Sequence, residues 1–173
     1  TIREQIERMD NIVHYQLRRA ATAGSSPGMG MLVLPPIVNR IIMTVKMAYR
    51  NKHPEISVDI ANTIGMRIDE GDLMELLGNL IDNAFKWCRT RIQISAAYQG
   101  NWVEIQVKDD GPGIQSNEIE RILERGVRAD QSTPGHGIGL AIVRDIIQVY
   151  GGELAIQNSD PTGACITLRL RKK

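Results

Sequence analysis

With 173 residues, 42% of them apolar and 24% charged, the chain has the composition of an ordinary globular protein and room for one well-packed domain plus an appendage. A formal net charge of +1 supplies no bulk attraction to nucleic acid or to an anionic membrane. Cys88 and Cys165 lie too far apart in sequence to suggest a disulfide framework or a cysteine-rich zinc site, no apolar run approaches the roughly 20 residues of a membrane span, and no signal peptide is apparent.

Residues 1 to about 23 read as a helix. Ile2, Ile6, Met9 and Val13 alternate spacings of four and three, a coiled-coil-like seam that Leu17 and Ala20 shift by about one position. Two readings stand: an amphipathic helix packed on the domain, or the end of a dimerisation hairpin, which we favour. The pattern is already running at Thr1, so we expect a longer parent protein, whose remainder has room for a membrane span. Residues 24–30 (GSSPGMG) read as a linker and 31–173 as the domain proper.

Met31 to Leu34 reads as a short strand, and Pro35 and Pro36 sit where a helix can begin, continuing over Ile37 to Arg50. Glu55–Ile60 alternates like a strand, and Met66–Ile68 is a second short one. Asp69 is a helix N-cap candidate for the stretch Asp72–Trp87. Arg91–Tyr98 and Trp102–Lys108 alternate around a turn at Gln99, Gly100 and Asn101. The polar, Gly/Pro-punctuated run 111–137 has room for a short helix near 117–124, and a loop of its length in a compact domain is usually functional or mobile. Ile138–Tyr150 reads as an apolar helix, and Glu153–Gln157 with Cys165–Leu170 as a last hairpin. The expected architecture is an α/β two-layer sandwich, a mixed sheet covered on one face by three helices.

Three segments carry chemistry. In the helix of Asp72–Trp87, Leu73, Leu76, Leu77, Leu80, Ile81 and Ala84 form one apolar face. The opposite stripe holds Glu75, Asn79, Asp82, Asn83 and Lys86. Asn is a poor helix former, and Gly78 costs about 1 kcal/mol relative to Ala, so helix propensity does not explain these choices. Asn79 and Asn83, one turn apart, offer hard amide oxygens suited to a Mg²⁺ ion that keeps water and phosphate as its other ligands. Lys86 can meet a phosphate as a point charge, and Glu75 can act as a general base. A solvated face with incidental Asn residues is the competing reading.

The second segment is Asp109-Asp110-Gly111-Pro112-Gly113, directly after a strand. Asp109 can accept a hydrogen bond from an amino group such as that of adenine, and Gly111 and Gly113 can let backbone approach a flat ligand. A tight turn explains the same residues. The third is Gly135-His136-Gly137-Ile138-Gly139-Leu140, whose amides open a helix and so face anions. No Gly-Lys-Ser/Thr follows, which excludes a Walker loop, and a long loop precedes it where a dinucleotide fingerprint would need a strand.

The order and spacing of all three are similar to the N, G1 and G2 boxes of the ATP-binding fold shared by sensor histidine kinases, gyrase, Hsp90 and MutL. ELLGNLIDNAFKW at 75–87 closely resembles the histidine-kinase N box, and KDDGPGI and RGVRAD add to the likeness. The resemblance covers about 31 to 171. It implies a Bergerat-type catalytic domain that binds ATP with Mg²⁺ on Asn79 and Asn83, and phosphates near Lys86, Arg128 and His136. It implies Trp87 over adenine or ribose, Asp109 on the adenine amino group, and Gly111 and Gly113 shaping that pocket. Gly135, Gly137, Ile138, Gly139 and Leu140 would wrap the phosphate tail, and residues from about 114 to 137 would be an ATP lid.

The implied activity is transfer of the γ-phosphoryl to a histidine on a separate dimerisation domain. The implied context is a homodimeric, inner-membrane sensor that works with a response regulator, this part of it cytoplasmic and not membrane-inserted. Two features depart from the family pattern. Ile122 and Leu123 replace the aromatic pair of the lid, and no phosphoacceptor motif is present, because Tyr15, Gln16 and Leu17 follow His14. His53, before Pro54, reads as structural. A GHKL-type ATP hydrolase, with Glu75 activating water, and a non-catalytic ATP-sensing module of the anti-sigma type are the competing functions.

Overall fold

A computed structural model describes residues 30–123, 138–159 and 162–172. The chain divides into two units, Thr1–Gly30 and Met31–Lys173, and the second holds everything discussed below. The expected helix of 1–23, the linker except Gly30, and lid residues 124–137 lie outside the described residues.

The unit begins with β1 (Met31–Val33) and α1 (Leu34–Ala48). Leu34, expected to end the strand, instead starts the helix. Pro35 and Pro36 occupy its first turn, where their missing N–H groups cost nothing. Ile37, Val38, Ile41, Ile42 and Val45 recur at helical spacing and are buried. β2 (Glu55–Ile60) and β3 (Gly65–Arg67) lead into α2 (Glu70–Trp87). The Asp69 side chain accepts the Asp72 N–H at 3.1 Å and caps α2, while Glu70 and Asp72 add negative charge to its first turn. The hairpin β4 (Arg91–Gln99) and β5 (Trp102–Asp109) turns at Gly100 with φ +61°. Then come α3 (Ser116–Leu123), α4 (Ile138–Val149), β6 (Glu153–Asn158) and β7 (Ala164–Arg171).

The strands form two sheets. Five make the main sheet in the order β2-β4-β5-β7-β6, with β2 parallel to β4 and every other pair antiparallel. β1 and β3 pair apart from it as an antiparallel ribbon. Gly65 is required there, because a Cβ would stand 2.6 Å from the Leu32 carbonyl oxygen.

One face of the sheet carries Ile92, Ile94, Val103, Ile105, Val107, Ile166 and Leu168, all buried under the helices. α2 is the middle helix, packed on α1, α4 and β5. Its Leu73, Leu76, Leu77, Leu80 and Ile81 are fully buried, so the apolar stripe read from the sequence is the centre of the core. At the far end of the helical layer the Tyr150 hydroxyl donates to Asp72 at 2.6 Å and accepts the Asp69 N–H at 3.3 Å, which ties the end of α4 to the start of α2.

Candidate nucleotide-binding site

The alternation of β5 continues one step past its apolar residues. Val103, Ile105 and Val107 face the core, and the next residue on that face is Asp109. A carboxylate is thereby placed at the bottom of the cleft between α2, the end of β5 and the start of β7. The cleft holds about 560 Å³ of empty space, counting its open mouth. Among the described residues its lining comes from α2 (Leu80, Asn83, Ala84, Trp87), β5 (Val107, Asp109), the following loop (Gly113, Ile114), α4 (Leu140) and β7 (Ala164, Ile166). Apolar walls around one carboxylate suit a flat, uncharged ring that carries a hydrogen-bond donor.

Burial pushes the Asp109 carboxyl above the usual carboxylate range. The Gly111 and Ala164 amides oppose that rise, and the Asp110 charge adds to it. Asp109 Oδ1 accepts the Gly111 N–H at 2.8 Å and the Ala164 N–H at 3.4 Å. No hydrogen bond to Oδ2 is found among the described residues, so the carboxylate keeps acceptor capacity.

Asp110, to which the sequence assigned no role, does the opposite work. It faces outward and accepts the backbone N–H groups of Arg89, Thr90 and Arg91 and the Thr90 hydroxyl, at 2.6–3.1 Å. Desolvation alone would raise it, but the Thr90 hydroxyl and the three amides outweigh that and hold the carboxyl far below the usual range. Asp110 thus fixes the turn that joins α2 to β4.

Of the residues expected at the site, Asn83, Trp87, Asp109, Gly113 and Leu140 line the cleft together. Lys86 stands at its rim with its ammonium 5.0 Å from the centre of the Trp87 ring, a cation–π arrangement. Asn79 and Glu75 lie one and two turns further back on α2, outside the lining. The Asn79 amide nitrogen donates to the Glu75 carbonyl at 2.7 Å, and its oxygen lies against Gly139, where a Cβ would come within 2.8 Å of it. A side chain at Gly139 would therefore push on Asn79 where the first turn of α4 crosses the Asn stripe.

The glycines after β5 also answer to the chain's own atoms. A Cβ on Gly111 would collide with the Trp87 carbonyl oxygen. Gly113 has φ +82°, and a Cβ there would stand 2.7 Å from the Asn158 side-chain oxygen. Asn158 itself accepts the Ile114 N–H at 2.8 Å and returns a bond to the Ile114 carbonyl at 2.9 Å. Ile138 opens α4, and Arg128, Gly135, His136 and Gly137 lie outside the described residues.

The residues that sequence reasoning missed are the apolar walls: Leu80 and Ala84, read only as core, and Val107, Ile114, Ala164 and Ile166. The alternation of β5 was the available signal, because it puts Asp109 where a core residue would stand. No comparable signal marks the β7 residues, which reach the cleft through the sheet order.

A two-layer α/β domain with a polar stripe on its central helix and one half-buried carboxylate at the base of an apolar cleft has the walls and the acceptor that a flat, amino-bearing base needs. The chain belongs to the family described as histidine kinase-, DNA gyrase B-, and HSP90-like ATPase, whose model matches residues 68–173, so the domain is an ATP-binding one. It is 39% identical over 165 residues to the two-component sensor PhoQ of Pseudomonas aeruginosa, a match that covers 95% of this chain and 37% of that protein. The virulence sensor histidine kinase PhoQ of Salmonella typhimurium is 36% identical, with 93% of this chain and 34% of that protein covered. The chain thus spans about a third of the length of these relatives. Among solved structures it is similar to the mycobacterial sensor histidine kinase MprB, with a TM-score of 0.72, 25% identity, and coverage of 84% of this chain and 99% of that one.

Proposed function

We propose that this domain binds Mg-ATP and is the catalytic part of a two-component sensor histidine kinase, presenting the γ-phosphoryl to a histidine on a separate dimerisation domain. The observation that carries the reading is the half-buried carboxylate of Asp109 inside an apolar slot, a pairing that suits an exocyclic amino group on a flat base. Leu80, Ala84, Val107, Ile114, Leu140 and Ile166 would hold the adenine ring. Trp87 and Lys86 would close its outer edge.

The donor set fits a magnesium ion. Asn79 and Asn83 put carboxamides one turn apart on the polar stripe, and the bond from the Asn79 amide nitrogen to the Glu75 carbonyl leaves its oxygen as an acceptor. Mg²⁺ held there would neutralise charge on the phosphates, which is the main need of phosphoryl transfer. Glu75 would accept the proton from the attacking imidazole, and Lys86, Arg128 and the amides after Gly135 would meet the phosphate oxygens. In the whole protein the partners would be its own dimerisation domain, a second copy and a response regulator, with this part on the cytoplasmic side of an inner-membrane sensor. No helix among the described residues is long and apolar enough to cross a membrane.

The test mixes the chain with the matching histidine-bearing domain and γ-labelled ATP. Label appearing on that domain's histidine is the expected result. Substantial phosphate release with the domain unlabelled would replace the reading with a hydrolytic ATPase. Nucleotide uptake with neither outcome would leave an ATP-sensing module.

A further inference from the structure

Lys52 belongs to no motif and lies in the loop between α1 and β2. Its ammonium crosses to the end of α2 and donates to three carbonyl oxygens, of Phe85 at 2.9 Å, Lys86 at 2.7 Å and Cys88 at 3.3 Å. All three donors of the ammonium are thereby used. The Phe85 and Lys86 carbonyls lie in the last turn of α2 and that of Cys88 at its C-cap, where helix carbonyls lack backbone partners and carry the negative end of the helix dipole; the Cys88 thiol also donates to the Phe85 carbonyl at 3.4 Å. The residue enclosed by the three is Trp87, the outer wall of the cleft.

On the other side of the same turn, Asp110 gathers the amides of Arg89, Thr90 and Arg91. A cation on the carbonyls and an anion on the amides thus clamp the few residues that carry Trp87. The Trp87 carbonyl is itself held against Gly111, in the loop that shapes the base of the site.

We infer that Lys52 is a positioning residue for nucleotide binding: it fixes the end of α2 so that the Trp87 ring stands over the mouth of the adenine cleft. This rests on the reading of the cleft as the adenine site. Lys52 touches no part of the cleft lining, so its effect on ATP passes through the end of α2, which carries Trp87 and Lys86. Without it the last turn of α2 frays, because three carbonyls lose a charge-assisted partner together.

The test uses the 173-residue chain carrying Trp102→Phe, so that Trp87 is its sole fluorophore of that type. Lys52→Met keeps an unbranched stem one atom shorter and removes the charged donor. The expected result is an ATP dissociation constant raised about tenfold, the size of change that one lost hydrogen bond can produce. Trp87 emission should become more readily quenched by acrylamide before any nucleotide is added. Lys52→Gln, which keeps two donors, should move both readouts the same way by less, and it decides the matter if the Met variant does not fold.

A lower melting temperature with unchanged Trp87 quenching and unchanged ATP affinity would overturn the inference and leave Lys52 a structural cap. If the parent protein takes up no ATP, the reading of the cleft fails instead. Trp87 quenching then still reports whether Lys52 holds the helix end, and no change there overturns its role.

Discussion

Gly139→Ala separates folding from nucleotide binding at one atom. A Cβ built on Gly139 stands 2.8 Å from the Asn79 side-chain oxygen and 3.5 Å from its Cγ. The side chain must withdraw by roughly 0.5–1 Å to restore ordinary contact. Withdrawal breaks the bond from the Asn79 amide nitrogen to the Glu75 carbonyl, now 2.7 Å long. Losing a neutral hydrogen bond of that kind costs about 1 kcal/mol. Replacing Gly by Ala in a helix returns up to about 1 kcal/mol, less in a first turn. The two nearly cancel, so the melting temperature should stay within about 3 °C of the parent.

Mg-ATP affinity, followed by titration calorimetry, should nevertheless fall about tenfold if Asn79 holds the proposed magnesium ion, because the displaced carboxamide would turn away from it. A direct clash between the new methyl group and phosphate would lower affinity as well, and a double-mutant cycle tells the two apart. In an Asn79→Ala background the methyl group has nothing to displace, so Gly139→Ala should cost no further affinity. Additive losses, or full affinity in the single variant, would refute the coupling between Asn79 and Gly139.

Two further outcomes follow from the same geometry. Gly78 sits inside α2 and, its own helix backbone and chain neighbours aside, no atom lies within 4 Å of where a Cβ would be, so Gly78→Ala should raise stability by about 0.5–1 kcal/mol, read as a higher midpoint in urea. A fall in stability would mean that the space is needed. Asp109→Asn keeps an oxygen for the Gly111 and Ala164 amides and removes a carboxylate whose folded-state pKa is raised. A raised acid pKa means that the fold disfavours the charge, a cost absent below the unfolded-chain value of about 3.9 and complete above the folded value. The variant should therefore gain stability relative to the parent as pH rises through that window, while ATP binding is lost; a relative loss on raising pH would contradict the burial of the charge.

The helices and hairpins were legible because period and punctuation agreed. Asp69 caps α2 as its place suggests, and Glu55–Ile60 forms a strand over the residues that alternate. The separation of β1 and β3 from the main sheet was not legible, since it rests on a long-range pairing and on the approach of Gly65 to Leu32. The candidate site was legible in the Asn residues of α2, unusual in a helix, and in Asp109 at the end of a strand; that Asp109 lies on the strand's inward face became visible only in the fold. Lys52, Asp110 and Asn158 were invisible for the opposite reason. Lysine before a turn, a second Asp in a turn and Asn at a strand end are ordinary in sequence. Only the fold brings Lys52 to the end of α2, Asp110 to the amides after it, and Asn158 to Ile114. Local sequence also could not say that Gly111 and Gly139 make room for Trp87 and Asn79.

The most direct measurement compares Mg-ATP with Mg-ITP by calorimetry on the unmodified chain. The two nucleotides share the ribose and the triphosphate, and inosine carries a carbonyl where adenine carries the amino group. Asp109, an acceptor in an apolar slot, should bind ATP and reject ITP by a factor of about 100 or more, since an acceptor would face an acceptor there. Equal affinity for both, or no uptake of ATP at all, would contradict it.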